Sequence, residues 1–408
     1  METMKTIFGV FIVVTSIIAG CQKEDVVEPI DPNNQWVPLL VAGIEETSLS
    51  DAELREYASR YRALGCAKLS LDQRNKLREY NPHIILISYL ATVSASESKV
   101  LEHPEWAVRD REGNLVPALN SDQIYMLDPG NEALRNALVE KVGTIVNQNG
   151  FDGIMFDEAA IVRDNFYDNF KGINPRTNQI YTIEEFKQEQ LATLKKIRET
   201  YPDIIIVANS IGNGDKYFDH IDIAREFARQ SDLLIAESYR GGLKKPLDWY
   251  ASEQSWLNNI NMAYDLSNYG CALMAHVEIE ADQVKDDRLK KAFDLFHYAS
   301  FLMGYKTGAV FSNTIQDNSQ STGGGGYVNF PVFNSFYKID PGEPLSDTYV
   351  MFGQAYARQF TNMLVLINPR SEQINATIDS SYTDQDGHSY HVGDEITLSP
   401  KSALLLIK

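Results

Sequence analysis

The sequence predicts an α/β fold, a (β/α)₈ TIM barrel followed by a small C-terminal antiparallel β domain. Three observations predict it. Eight short apolar runs recur between residues 36 and 313, most of them separated by amphipathic segments of helical length. The runs are continuous in β-branched and aliphatic residues, the pattern of strands covered on both faces in a parallel sheet. Beyond residue 348 the chain reads as strands and turns without a helical stripe. Eight strand–helix repeats over roughly 250–300 residues match the size of such a barrel.

The strand candidates are WVPLLVAG (36–43), ALGCAKLS (63–70), HIILISYL (83–90) and FDGIMFDE (151–158), then IIIVANS (204–210), DLLIAES (232–238), CALMAHVE (271–278) and TGAVFSN (307–313). Gly65 and Lys68 interrupt the second. Between them, Leu134, Leu138, Val142 and Ile145 form one helical stripe. Phe186, Leu191, Leu194 and Ile197 form another, opened by Thr182 and Glu185 in a capping-box arrangement. A third helix is expected from about Asp282 to Tyr305. The loop with Gly323 to Gly326 leads into an aromatic stretch, Tyr327, Phe330, Phe333, Phe336 and Tyr337, expected to pack between barrel and β domain. The domain boundaries that follow are 36–345 for the barrel and 346–408 for the β domain.

The first 20 residues read as a processing segment. Lys5 precedes an apolar core that ends in Ile18-Ala19-Gly20-Cys21, which resembles a bacterial lipobox and makes Cys21 the expected lipidation site. The alternative is an N-terminal transmembrane helix, for which the run is short. Gln22-Lys23-Glu24-Asp25 resembles a signal for export to the outer face of the outer membrane, and residues 21–35 read as a polar, proline-broken tether. A surface-exposed outer-membrane lipoprotein is therefore expected, with the periplasmic face as the alternative. The formal charge of -19 argues against nucleic acid as a partner and confines membrane contact to the lipid anchor. Cys66 and Cys271 are read as buried thiols, with a disulfide as the alternative. No CxxC, HExxH or EF-hand pattern appears, so neither a metal site nor a cofactor is expected.

In a barrel of this kind the chemistry sits at the C-terminal ends of the strands. Those ends are Asp157-Glu158, Asn209-Ser210, Glu237-Ser238-Tyr239-Arg240, His276 with Glu278, and Ser312-Asn313. Cleavage of a glycosidic bond needs two carboxyl groups, one to protonate the leaving oxygen and one to attack the anomeric carbon or activate water. Asp157 and Glu237 come from alternate strands, which share an interior layer. Strand alternation groups Gly153, Met155 and Asp157 on one face, and a one-residue slip would exchange Asp157 with Glu158.

Motifs along the chain carry a resemblance. They are Trp106, Arg109-Asp110, Gly113-Asn114, Leu127-Asp128-Pro129, Gly150-Phe151-Asp152-Gly153 and Asp157. They continue with Asp340-Pro341-Gly342-Glu343-Pro344, Tyr356-Ala357-Arg358-Gln359-Phe360 and Leu366-Ile367-Asn368-Pro369. The pattern resembles uncharacterised bacterial families classed among the glycoside hydrolases, including barrels akin to endo-α-1,4-polygalactosaminidase. One departure is Met363, where related proteins often have Gly after Asn. The resemblance implies a glycan substrate and, by analogy with families acting on α-linked sugars, a retaining mechanism with Asp157 as nucleophile and Glu237 as acid/base.

Tyr89, Trp106, Glu158, Asn209, Tyr239, Arg240 and His276 are the candidate substrate contacts. Each also has a structural alternative, such as packing for Trp106 and an ion pair with Glu237 for Arg240. Arg109 and Asp110 are expected to form a structural pair, and Asp128 and Asn131 to cap the helix starting near Glu132. The competing function is a non-catalytic glycan-binding lipoprotein on a barrel scaffold. A barrel lyase or deacetylase is disfavoured by the lack of a metal motif.

Overall fold

The computed structural model describes residues 39–41, 43–44, 47–118, 123–158, 171–241, 245–317 and 328–408. The processing segment, Cys21, the tether, residues 36–38 of the first strand candidate, Gly323 to Gly326 and Tyr327 lie outside them, as does the Phe330 side chain.

Eight parallel strands form the sheet: β1 (Leu40–Val41), β2 (Ala63–Gly65), β3 (Ile85–Ala91), β4 (Gly153–Asp157), β5 (Ile205–Ile211), β6 (Leu233–Ala236), β7 (Ala272–Glu280) and β8 (Val310–Asp317). They pair in sequence order, and a parallel bridge between Leu39 and Phe311 joins the first strand to the last. The sheet is thereby a closed barrel, as predicted. The interrupted second run is strand only as far as Gly65, and the chain then turns into a helix starting at Leu71.

The crossovers are helical. They are α1 (Asp51–Arg60), α2 (Leu71–Tyr80), α3 (Glu132–Gly143), α4 (Ile183–Thr200), α5 (Ile221–Gln230), α6 (Glu253–Ser267) and α7 (Asp287–Gly304). Local sequence explains where they begin. Ser50 with Glu53, and Thr182 with Glu185, make reciprocal capping boxes that satisfy otherwise orphaned N–H groups. The Asn131 side chain accepts from Leu134 N at 3.0 Å. Asp128 does not cap α3. It is buried, accepting from Gly130 N at 2.9 Å and pairing with Arg176 at 3.0 Å, because the loop from β3 to α3 folds back against a hairpin that carries Arg176. Arg109 and Asp110 each brace the turn to Asn114 separately, through the Gly113 carbonyl and the Asn114 amides.

Alternation along the strands separates two cores. Leu86, Ile154, Ile206, Leu234, Ala275 and Phe311 point outward into the layer shared with the helices. Their neighbours Ile87, Met155, Val207, Ile235, Met274 and Val310 fill the barrel interior. Gly153 is needed where β4 passes β5, since a Cβ there would lie 2.3 Å from the Ile205 carbonyl oxygen. Cys66 and Cys271 are both buried free thiols.

Among the described residues no α-helix follows β8. An antiparallel strand, β9 (Val328–Pro331), pairs with it instead. A short 3₁₀ turn at Ser335–Lys338 then occupies the outside of β8, with the Tyr337 ring 4.8 Å from Tyr298 of α7 and 5.7 Å from Phe311. The Phe333 ring lies 6.5 Å from Tyr61, just after α1. These rings therefore cover the wall between α7 and α1 where an eighth helix would pack, and Phe336 and Tyr337 belong to the same apolar cluster as Met363 and Leu405 of the β domain.

The C-terminal region is an antiparallel six-stranded sheet of β10 (Val350–Phe352), β11 (Ala355–Gln359), β12 (Met363–Asn368), β14 (Tyr382–Asp384), β15 (Ser389–Tyr390) and β17 (Ser402–Ile407). A two-stranded sheet, β13 (Ile374–Thr377) with β16 (Glu395–Leu398), completes it. One face joins the barrel core: Met363, Val365, Ile367 and Leu405 belong to the same apolar cluster as α7. The fully buried Arg358 donates to the carbonyls of Met303 (2.6 Å) and Leu302 (3.3 Å), satisfying the exposed C-terminal end of that helix.

Candidate active site

Extending the interior alternation by one step reaches the mouth of the barrel. Above Ile87, Val207 and Met274 stand Tyr89, Asn209 and His276; above Met155, Ile235 and Ser312 stand Asp157, Glu237 and Thr314. Interior layers draw from alternate strands. Asp157 of β4 and the Glu237 position just past β6 thus belong to one layer, while Tyr89, Asn209 and His276 belong to the interleaved one. With neighbouring strands about 4.8 Å apart, β4 and β6 stand roughly 9–10 Å from each other across β5, a gap that two inward carboxyl side chains narrow.

Asp157 is the most firmly held of these groups. Its Oδ2 accepts from the Tyr89 hydroxyl at 2.6 Å, and its Oδ1 accepts from Asn209 Nδ2 and from the Glu158 backbone N–H, both at 2.9 Å. Three donors on one carboxylate fix its direction. Glu158 leaves the interior face. Its φ of 58° turns the chain sharply, its side chain is buried, and its carbonyl accepts from Gln190 of α4.

Glu237 is half-buried. A bulge at Ser210 shifts the pairing of β5 with β6, and beyond it Glu237 N still donates to Ile211 O at 3.2 Å. Bulges re-aim side chains, here at the strand end that carries Glu237. Two turns follow directly, Tyr239 N to Ala236 O and Gly241 N to Ser238 O. They turn Tyr239 and Arg240 back into the protein, where both side chains are buried. Tyr239 is buried in the barrel–helix core. Arg240 is 2% exposed and donates to the carbonyls of Glu278, Lys245 and Pro246, and burial pushes its pKa down to about 10. It braces the β6–α6 loop.

His276 is buried on the interior face with Nε2 3.0 Å from Glu278. Burial opposes its charge, but the Glu278 carboxylate, with Glu237 adding, holds its pKa above the ordinary value. Trp106 stacks on His103 at 3.8 Å and packs among Val100, Leu127, Leu134 and Leu138, an environment of loop packing. The residues brought together at the mouth are therefore Tyr89, Asp157, Asn209, Glu237 and His276, joined by Glu278. Among the described residues no cluster of three or more His, Cys, Asp or Glu side chains is arranged to hold a metal ion.

Solved structures of similar fold include glycoside hydrolases. A maltogenic α-amylase from Thermotoga neapolitana matches with a TM-score of 0.55 and 14% identity, over 92% of this chain and 100% of that one. The glycoside hydrolase domain of PelA from Pseudomonas aeruginosa matches at 0.45 and 13%, over 72% and 97%. An α-galactosidase from Geobacillus stearothermophilus matches at 0.47 and 11%, over 91% of this chain and 56% of that one. No curated protein matches. Residues 75–363, which run from α2 through the barrel into the β domain, match the model of Hypothetical glycosyl hydrolase family 15, and the chain belongs to that family.

Proposed function

We propose that the protein hydrolyses glycosidic bonds in a poly- or oligosaccharide with retention of configuration, using Asp157 as nucleophile and Glu237 as acid/base. The observation that carries the reading is Asp157 itself, an inward carboxylate at the end of β4 held by Tyr89, Asn209 and a backbone N–H, with Glu237 in the same interior layer. The Asp157 carboxylate attacks the anomeric carbon while Glu237 gives its proton to the departing glycosidic oxygen, so that bond breaks as an ester to Asp157 forms. Glu237, now a carboxylate, takes a proton from water. That water attacks the anomeric carbon and releases Asp157. Tyr89 and Asn209 keep the nucleophile oriented throughout. As part of the same reading the chain is exported, lipidated at Cys21 and displayed on the outer membrane. The lipobox-like Ile18-Ala19-Gly20-Cys21 and the acidic residues after it support this.

The test is a panel of glycans scored for new reducing ends, followed by NMR of the first product anomer. Release with retained configuration is the expected result. Inverted product would overturn the nucleophile role, and binding without any cleavage would favour the non-catalytic alternative.

A further inference from the structure

We propose that Ser312, Thr314 and Gln316 of β8, with His276 of β7, form the subsite that holds an uncharged sugar ring against the catalytic carboxylates. The inference rests on the glycosidic reading above and adds the class of sugar and the wall that recognises it.

Parity fixes where these side chains point. Phe311 packs outward on Tyr298, and the Asn313 amide donates outward to Asp294 of α7 at 2.9 Å. The residues between and beyond them, Ser312, Thr314 and Gln316, therefore face the interior. In the parallel ladder Ser312 pairs with His276 and Thr314 with Glu278, so the four groups form one contiguous patch. Strand β8 lies four strands from β4 on a ring of eight, which sets this patch across the mouth from Asp157.

The patch is built from unmet hydrogen-bonding capacity. Ser312, Thr314, Gln316 and His276 are 1%, 1%, 2% and 4% exposed. Yet Ser312 Oγ, Thr314 Oγ1, Gln316 Nε2 and His276 Nδ1 have no hydrogen-bond partner among the described residues. Buried polar atoms are normally satisfied, and leaving them bare costs stability, so four on adjacent rungs need a reason. Sugar hydroxyls both donate and accept, and a ring edge offers several at the spacing of neighbouring side chains. With Nε2 engaged by Glu278, His276 has Nδ1 left to meet a sugar hydroxyl, as donor or acceptor according to its proton.

Charge decides the kind of sugar. Among the described residues, the inward carboxylates of Asp157 and Glu278 have one basic side chain within hydrogen-bond reach, His276 beside Glu278. A uronate would bring another carboxylate into a poorly hydrated site already in negative excess. The patch therefore suits a neutral, hydroxyl-rich ring.

The test uses the full-length protein carrying Asp157→Asn, titrated calorimetrically with neutral hexo-oligosaccharides and with oligouronides of matching length. Neutral oligosaccharides should bind, and oligouronides at least about tenfold more weakly. Adding Ser312→Ala or Thr314→Val should weaken binding about fivefold each, the usual worth of a neutral hydrogen bond. The melting temperature should hold or rise, because an unsatisfied hydroxyl has been removed. Thr314→Ser, which keeps the hydroxyl, should bind within about twofold of the parent. Unchanged affinity in Thr314→Val, equal affinity for oligouronides, or no binding of any neutral oligosaccharide would overturn the proposal. If neutral glycans are bound but the wild type never cleaves them, the hydrolytic reading falls while this subsite stands. If they are cleaved and Thr314→Val leaves KM unaltered, the subsite falls while hydrolysis stands.

Discussion

Asp157→Asn separates chemistry from architecture more cleanly than any other single change. The side chain keeps its shape and can keep its partners. One amide oxygen replaces Oδ1 as acceptor for Asn209 Nδ2 and the Glu158 N–H, and the new NH₂ donates to the Tyr89 oxygen. Each bond falls from charge-assisted to neutral, a loss of about 1 kcal/mol apiece, or roughly 3 kcal/mol for three. The lost charge no longer has to be desolvated, which offsets much of that sum. The net effect on stability should be about 1 kcal/mol, a shift of a few degrees in Tm. Turnover should collapse, because an amide cannot form the glycosyl ester, and removing a nucleophile costs on the order of 10⁵–10⁶-fold. The assay is reducing-end release on a glycan the wild type cleaves, with thermal melting and calorimetric binding on the same preparation. A folded variant that keeps more than about one percent of wild-type turnover refutes the assignment, and Glu278 becomes the next candidate.

Three further outcomes are expected. Glu237→Gln should slow cleavage of natural glycans about 10²–10⁴-fold while sparing aryl glycosides with good leaving groups, which need little protonation; equal losses on both would remove Glu237 as the acid. His297 is buried against Tyr250 and Phe293, and burial pushes its pKa down to about 3. Its folded pKa lies below the unfolded value, so its contribution is intact above about pH 6.5 and is lost as pH falls toward 3, at about 1.4 kcal/mol per unit. His297→Gln should flatten that acid slope in denaturant titrations from pH 6 to 4, whereas a slope parallel to wild type would contradict the burial account. Cys21→Ser should abolish acylation and leave the precursor uncleaved in a fatty-acid labelling experiment; a normally processed, labelled mutant would end the lipoprotein reading.

The barrel was readable because its signal is redundant. Each of the eight apolar runs holds a strand of the barrel, and β2 is cut short where Gly65 and Lys68 had already broken the pattern. The Thr182–Glu185 capping box marked the start of α4 for the same local reason in sequence and in structure. What depended on tertiary context was less visible. Asp128 sits where a cap is expected, yet a distant arginine, Arg176, claims it. The aromatic segment after β8 was expected between barrel and β domain, and what the sequence did not reveal is that Phe336 and Tyr337 also fill the stretch of barrel wall where an eighth helix would pack.

At the mouth, the rule that strand ends carry chemistry led to inward side chains on β3 to β7, and strand alternation stops after Glu237. Residues adjacent in sequence share a strand end only while the strand lasts. Two tight turns after Ala236 bring Tyr239 and Arg240 back into the protein although they stand two and three positions from Glu237. The β8 wall was missed for the opposite reason. A continuous apolar reading of a buried strand hides which face each residue takes, so Ser312 stood only as a strand end, and Thr314 and Gln316 fell beyond the run read as strand, 307–313. With the faces known, they are three polar residues at every second position on a strand whose lower interior residue, Val310, is apolar. The interior is thus apolar where only protein fills it and polar where a ligand is to enter. That division implies a site held at some cost to the unliganded fold, with the missing hydrogen bonds to be supplied by the sugar.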